Sequence, residues 1–318
     1  MYTFTHHGKL LRFDNLAAAP DDKYTIYADL YEIAESIGRP LGGKFVPGSD
    51  VLYFADTLLG LCRIDLSKNH PKMELVASKV QLDDGSWSPI LYADDVDVGN
   101  SGIVYFSDAT DIAPERQSDL TYDIIYPSKL DIIRNKRAGR LLSYNPLTDE
   151  VKVLAMGIHF ANGVAVNKDE TIVMVVEGSM FRILMYHLAG PKQGELEVAV
   201  DNLPGFVDGI DYDHTSGMWY ATLPSNVVTL MKILYKMPQI VEAVFRTMLL
   251  IVPKRFSPQP ESYTGIVEIA RVGSEYKVKR IVQDPDGEDI RMITGVTVKD
   301  SQLFLGSLVN NFVGVYDL

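Results

Sequence analysis

Along this chain apolar residues fall at every second position in short runs, and Asn, Asp, Gly and Ser stand between the runs. The pattern predicts many half-buried strands joined by tight turns. The stretch from Phe160 shows it most clearly: Gly163 to Val166, Ile172 to Val176, Arg182 to His187 and Glu195 to Val200 read as four successive strands. Turn residues separate them, as in Asn167-Lys168-Asp169-Glu170, and the same punctuation recurs at Ser49-Asp50 and Ser216-Gly217.

A longer period lies over the alternation. An Asn or Asp, then Asp or Gly, then a β-branched residue, is followed 13 to 15 residues later by an apolar strand that ends in a small or acidic residue. Asp94-Asp95-Val96 leads to Val104-Tyr105-Phe106-Ser107-Asp108, Asn162-Gly163-Val164 to Val173-Met174-Val175-Val176-Glu177, and Asp208-Gly209-Ile210 to Met218-Trp219-Tyr220-Ala221-Thr222. Looser copies begin at Leu41-Gly42-Gly43 and Thr294-Gly295-Val296, and Tyr2-Thr3-Phe4-Thr5 matches the second half of one more. Repeats of several short strands at roughly 50-residue spacing predict an all-β six-bladed β-propeller, one blade per copy. Residues 1–318 form a single domain on this reading, with no linker or low-complexity run dividing it.

Blade one begins at Tyr2 in its second strand and the last copy supplies three strands, so about two strands are expected to be missing and the chain reads as truncated at its N-terminus. One segment breaks the β pattern. Residues 227–256 place apolar side chains at helical spacing, with Lys232, Lys236, Arg246, Lys254 and Arg255 against a single acid, Glu242. Two short amphipathic helices broken near Pro238 are predicted, inserted after the second strand of blade five and lying over one face of the ring. Packed decoration, a lid, or contact with an anionic membrane surface are the roles open to it. The segment is too interrupted to span a bilayer.

A net charge of −12 and a pI near 5.0 argue against nucleic acid as a partner. Cys62 is the only cysteine, which excludes an intrachain disulfide and a cysteine-based metal cluster. No Asn-x-Ser/Thr acceptor and no basic segment followed by an apolar stretch occurs in the chain. Serine-hydrolase elbows, phosphate loops and His-Glu-x-x-His motifs do not occur either.

In a propeller the innermost strand of each blade faces the axis, so equivalent opening positions converge at one mouth of the channel. Those positions are Leu41, Asp94, Asn162, Asp208 and Thr294. Three consecutive blades aim two carboxylates and an amide at one point, an oxygen-only set that suits Ca²⁺ rather than zinc. Each residue alone also serves as an ordinary turn cap. Their coincidence at one position in three blades turns the reading toward a metal site.

The run Phe160-Ala161-Asn162-Gly163-Val164-Ala165-Val166, with Gly38-Arg39-Pro40-Leu41-Gly42, Tyr105-Phe106-Ser107-Asp108 and Leu303-Phe304-Leu305-Gly306-Ser307-Leu308, resembles the strictosidine synthase-like family. That family includes adipocyte plasma membrane-associated proteins and sits with paraoxonases and gluconolactonases among six-bladed propellers. The resemblance runs from Tyr2 to Leu318. It implies that Asn162 and Asp208 are metal ligands, that Asp94 stands at a third ligand position where the pattern has Asn, and that a Glu ligand belongs to blade one ahead of this chain. It also implies an endomembrane or secretory location with an N-terminal anchor that this chain does not contain.

True strictosidine synthases use a Glu on the innermost strand of the last blade to shuttle a proton in amine–aldehyde condensation, and Thr294 occupies that position here. A threonine hydroxyl does not perform that acid–base work near neutral pH, and Glu288 and Asp289 substitute only if their loop is differently registered. The expectation is therefore a calcium-dependent hydrolase acting on a small-molecule ester or lactone, of arylesterase or lactonase type. His159, or else Asp95, would be its proton acceptor. The alternative is a non-catalytic, membrane-associated or protein-binding propeller with a structural metal position, touching a membrane through residues 227–256.

Overall fold

The structure, a computed structural model, describes residues 1–19, 22–36, 38–119, 121–226, 237–251 and 263–318. Six antiparallel sheets follow one another along the chain, and they are the six blades of the predicted propeller. Blade one holds Tyr2–Phe4, Lys9–Ala19 and Asp22–Glu35. Blades two to five have four strands each, their innermost being Pro40–Phe45, Ala93–Val98, Ala161–Val166 and Ile210–Tyr212. Blade six holds Ile293–Lys299, Gln302–Ser307 and Gly314–Asp317. The four strands expected from Gly163 onward are found as Ala161–Val166, Ile172–Glu177, Arg182–His187 and Leu196–Val200.

Alternation along each strand decides which neighbouring blade a side chain meets, because successive residues point to opposite faces. In blade three Phe106 joins Tyr53, Ala55 and Val96 on the side of blade two, whereas Tyr105 joins Val164 and Val173 on the side of blade four. In blade five Trp219 and Ala221 pack on Met174 and Ile183 of blade four, while Tyr220 turns to Ile293 and Leu305 of blade six. Leu10 of blade one meets Leu52 and Phe54 of blade two. The core is thus a series of wedges between blades rather than one central mass.

Two helices interrupt the pattern. α1, Ile125–Arg134, lies in the stretch between Pro114 and Arg137 that the sequence marks only as a loop. Its start is held by Asp123, whose Oδ1 accepts from the backbone N–H of Ile125 and Tyr126 at 3.1 and 2.9 Å, and it ends at Asn135 in the left-handed region with φ 50°. α2, Gln239–Ile251, follows the second strand of blade five, where the helical insert was expected. The predicted helix ahead of Pro238 falls on residues 227–236, outside the described residues. Arg246 of α2 donates to the carbonyls of Ile132 and Ile133 at 2.6 and 3.3 Å and so ties α2 to the C-terminal end of α1. No helix among the described residues is long and apolar enough to cross a membrane.

Candidate functional site

The opening positions of the repeat lie where the inner strands depart from regular pairing. Register shifts occur between Pro40 and Gly43, Ala93 and Val96, Ala161 and Val164, and Ile293 and Gly295. Such irregularities re-aim a side chain, and here they sit at Leu41, Asp94, Asn162 and Thr294. The glycine that follows serves close packing of one inner strand on the next. A Cβ on Gly163 would lie 2.4 Å from the Asp208 carbonyl oxygen, and one on Gly209 would lie 2.5 Å from that of Thr294. The backbone N–H groups of the same two glycines donate to those carbonyls at 3.0 and 2.9 Å.

Asp94, Asn162 and Asp208 come together as the repeat predicts. Asp94 and Asn162 are buried, and the Asn162 amide hydrogen-bonds the Asp208 carboxylate. Burial, then the charge of Asp208 and that of Asp95, pushes the Asp94 carboxyl well above its ordinary range, and no donor or cation among the described residues answers it. Asp208 is likewise pushed up to about 7, by burial and by Asp95 against the pull of Asn162. Among the described residues no three His, Cys, Asp or Glu side chains are gathered as a ready metal cluster. The oxygen set here is two carboxylates and an amide, which fits a hard divalent cation whose charge would answer both acids.

Asp95 occupies the position that is glycine in the other copies. Its carboxylate fills the space beside Gly42, where a Cβ would lie 1.9 Å from Oδ1. Oδ2 accepts from the backbone N–H of Val164 in blade four at 2.9 Å, and Oδ1 from that of Val96 at 2.9 Å. Burial still raises the acid to about 7 despite those two donors.

A second layer lies three residues further along each inner strand: Lys44, Asp97, Ala165, Asp211 and Thr297. Lys44 of blade two reaches Asp211 of blade five, opposite in the ring, at 2.6 Å, and Asp97 of blade three at 3.4 Å. Asp97 also accepts from Val166 N–H and Asp211 from Val298 N–H, each at 2.8 Å. Burial opposes the Lys44 charge, but Asp211 and Asp97 outweigh it and hold the ammonium well above its ordinary value. The sequence reading did not single out this layer, although a Lys and two Asp inside otherwise apolar strands at one repeat position carry the signal.

The acidic ends of the second strands are structural. Asp56 accepts from Arg39 N–H at 3.2 Å, Asp108 from Tyr92 N–H at 2.9 Å, and Glu177 from His159 N–H at 2.9 Å, each tying down the segment that leads into the inner strand. Asp108 and Glu177 also pair with Arg140 and Arg182. His159 is half-buried. Burial holds its imidazole below the ordinary value, with Glu177 opposing and Arg137, Arg182 and Arg246 adding to the effect, so its main charged neighbours are not the channel aspartates. Thr294 lies on the inner strand of blade six, whereas Glu288 and Asp289 are exposed on a loop whose N–H groups donate to Asp284.

The fold is a six-bladed propeller, and in this chain its channel mouth is acidic. The family model for strictosidine synthase matches residues 94–191. Strictosidine synthase-like 3 of Arabidopsis thaliana is 30% identical over 282 residues, covering 88% of this chain and 67% of that protein. The chain belongs to the strictosidine synthase-like family. The adipocyte plasma membrane-associated protein of Gallus gallus is 29% identical over 334 residues, covering 98% of this chain and 72% of that protein. Among solved structures, a gluconolactonase of Xanthomonas campestris superposes with a TM-score of 0.54 at 11% identity, covering 87% of this chain and 72% of that one, a likeness of fold.

Proposed function

We propose that the channel mouth is a calcium-dependent hydrolytic site for an ester or lactone, with Asp94, Asn162 and Asp208 as the protein ligands. The observation that carries the reading is the facing of two acids, the buried Asp94 and the partly buried Asp208, with nothing among the described residues to answer Asp94. A divalent cation held there supplies Lewis-acid polarisation of the substrate carbonyl. In the reaction, water adds to the carbonyl carbon, the bond to the alkoxy oxygen breaks, and the water proton passes to the departing alkoxide, giving acid and alcohol. On this reading Asp95, whose carboxylate accepts from Val164 and Val96 N–H near Asp208, takes up that proton in passing, while His159 stands among Glu177 and three arginines. Thr294 at the last-blade position disfavours amine–aldehyde condensation.

The test is turnover of phenyl acetate, of a six-membered lactone and of the same lactone bearing a carboxylate, with Ca²⁺ and then with excess chelator. Turnover that needs Ca²⁺ is expected. Turnover untouched by the chelator, or none in either condition, contradicts the assignment.

A non-catalytic membrane role is the second reading, and α2 supports it. Ile240 is 81% exposed, and Val241, Val244 and Met248 are exposed on the same stretch of helix. An apolar face of this kind suits an interfacial helix. Flotation with phosphatidylserine vesicles should show binding that is lost on Ile240→Asp with Val244→Asp. Equal flotation of the variant removes this reading.

A further inference from the structure

Two places ahead of the repeat's opening position stand Arg39, Tyr92, Phe160, Phe206 and Met292; the Tyr92 and Phe160 rings are in contact, and Arg39 and Met292 line one cavity. Four are aromatic or apolar, and one is a guanidinium. Arg39 is only 5% exposed, and its Nε and Nη1 atoms are buried with no hydrogen-bond partner. A buried guanidinium with two unpaired N–H positions carries a desolvation cost that the nearby Asp56 charge offsets only in part. It lines a cavity of about 250 Å³ shared with Lys129 of α1, His6, and the apolar Ile124, Met292 and Leu308. Asp123 on the same wall is already engaged by Ile125 and Tyr126 N–H.

The cavity adjoins the channel site. Ile124 and Leu308 pack in one cluster with Leu41, Tyr92 and Phe160, and Tyr92 donates its hydroxyl to the Ile124 carbonyl at 2.9 Å. Tyr92 feels the charges of Asp94 and Asp208 on one side and of Arg39 on the other. The site therefore presents a cation-seeking acid pair and, beside it, a cation in an apolar wall.

We propose that Arg39 is the carboxylate-binding residue of this site, so that the substrate class is a small ester or lactone bearing a free carboxylate on a short apolar frame. The inference rests on the hydrolytic reading for the words ester and lactone, and on Arg39 and its cavity for the carboxylate. A planar guanidinium fork matches a carboxylate. A monoanion is favoured over a phosphate dianion because Asp94, Asp208 and Asp123 stand near. The volume is below the roughly 300–1,000 Å³ of sites for drug-sized ligands, which limits the frame to a small one.

Calorimetry in chelator, where the cation site plays no part, tests the pocket with hexanoate, hexanamide and hexyl phosphate on the whole chain. Hexanoate is expected to bind about 10- to 100-fold tighter than hexanamide, the scale of one charge-assisted contact, and Arg39→Gln is expected to erase that preference. Should Arg39→Gln fail to fold, Lys129→Gln on the rim is expected to lower the preference about 3-fold, by the weaker rule for a partly exposed charge. An equal affinity for hexanamide, tighter binding of hexyl phosphate, or a preference untouched by the variants overturns the proposal. A hexanoate preference that depends on Arg39, found without any Ca²⁺-dependent turnover, would retain the anion pocket and remove the hydrolase.

Discussion

Lys44→Met is expected to destabilise the protein by about 3 kcal/mol, the lower end of the cost of stranding buried partners of an ion pair. The ammonium joins blade two to blade three and, across the axis, to blade five. Its removal leaves Asp97 and Asp211 facing each other with backbone N–H groups alone as donors, those of Val166 and Val98 to Asp97 and that of Val298 to Asp211. A fall in melting temperature of about 5–10 °C should follow. Because the folded-state value of Lys44 is raised above 10.5, the stability it contributes is fully present below that pH and is lost only as pH rises through the folded value. Adding Asp211→Asn should restore part of the stability, since its amide oxygen still accepts the Val298 N–H and one of the two stranded charges is removed. A melting temperature for Lys44→Met within a degree of the wild type would show that the cross-axis pairing contributes nothing.

Asp208→Asn is expected to act in opposite directions on stability and on function. In the cation-free protein Asp208 faces Asp94 and Asp95 in a buried site, and its folded-state value of about 7 lies above the ordinary 3.8. The folded chain thus keeps a proton that the unfolded chain has released. The stability this brings is fully present below pH 3.8 and is lost as pH rises to about 7. At pH 8 the neutral amide should make the cation-free protein more stable by about 2–4 kcal/mol. The same change removes a ligand charge, so calcium affinity and any Ca²⁺-dependent turnover should fall by about 100-fold or more. Thermal melts at pH 8 in chelator and in calcium read both effects. If Asp208→Asn melts lower than the wild type in chelator, the acid pair is not under repulsion and the site has been misread.

The ring and its first channel layer were legible because both rest on strict repetition. Alternation marked the strands, and irregular pairing at one repeat position re-aims Asp94 and Asn162 toward Asp208. Lys44, Asp97 and Asp211 share a position just as regularly, but they pair across the axis between residues 167 apart in sequence, and no local pattern marks that pairing. Arg39 was read only as part of a family motif. What makes it informative is that Tyr92, Phe160, Phe206 and Met292 occupy the same place in other blades. α1 escaped notice because its signals, Asp123 ahead of the first turn and Asn135 behind the last, are the residue types that also punctuate loops. His159 drew attention as the imidazole nearest Asn162 in sequence, whereas its backbone N–H meets Glu177 and its ring lies among arginines.

Asp94, Asn162 and Asp208 are proposed to hold a divalent cation. Calcium titration by calorimetry on the protein and on its Asn162→Ala and Asp208→Ala variants tests this most directly. Saturable binding of one Ca²⁺ by the wild type, lost in both variants, is the predicted result. Wild-type protein that takes up no Ca²⁺, or variants that bind it as well as the wild type, would contradict the site.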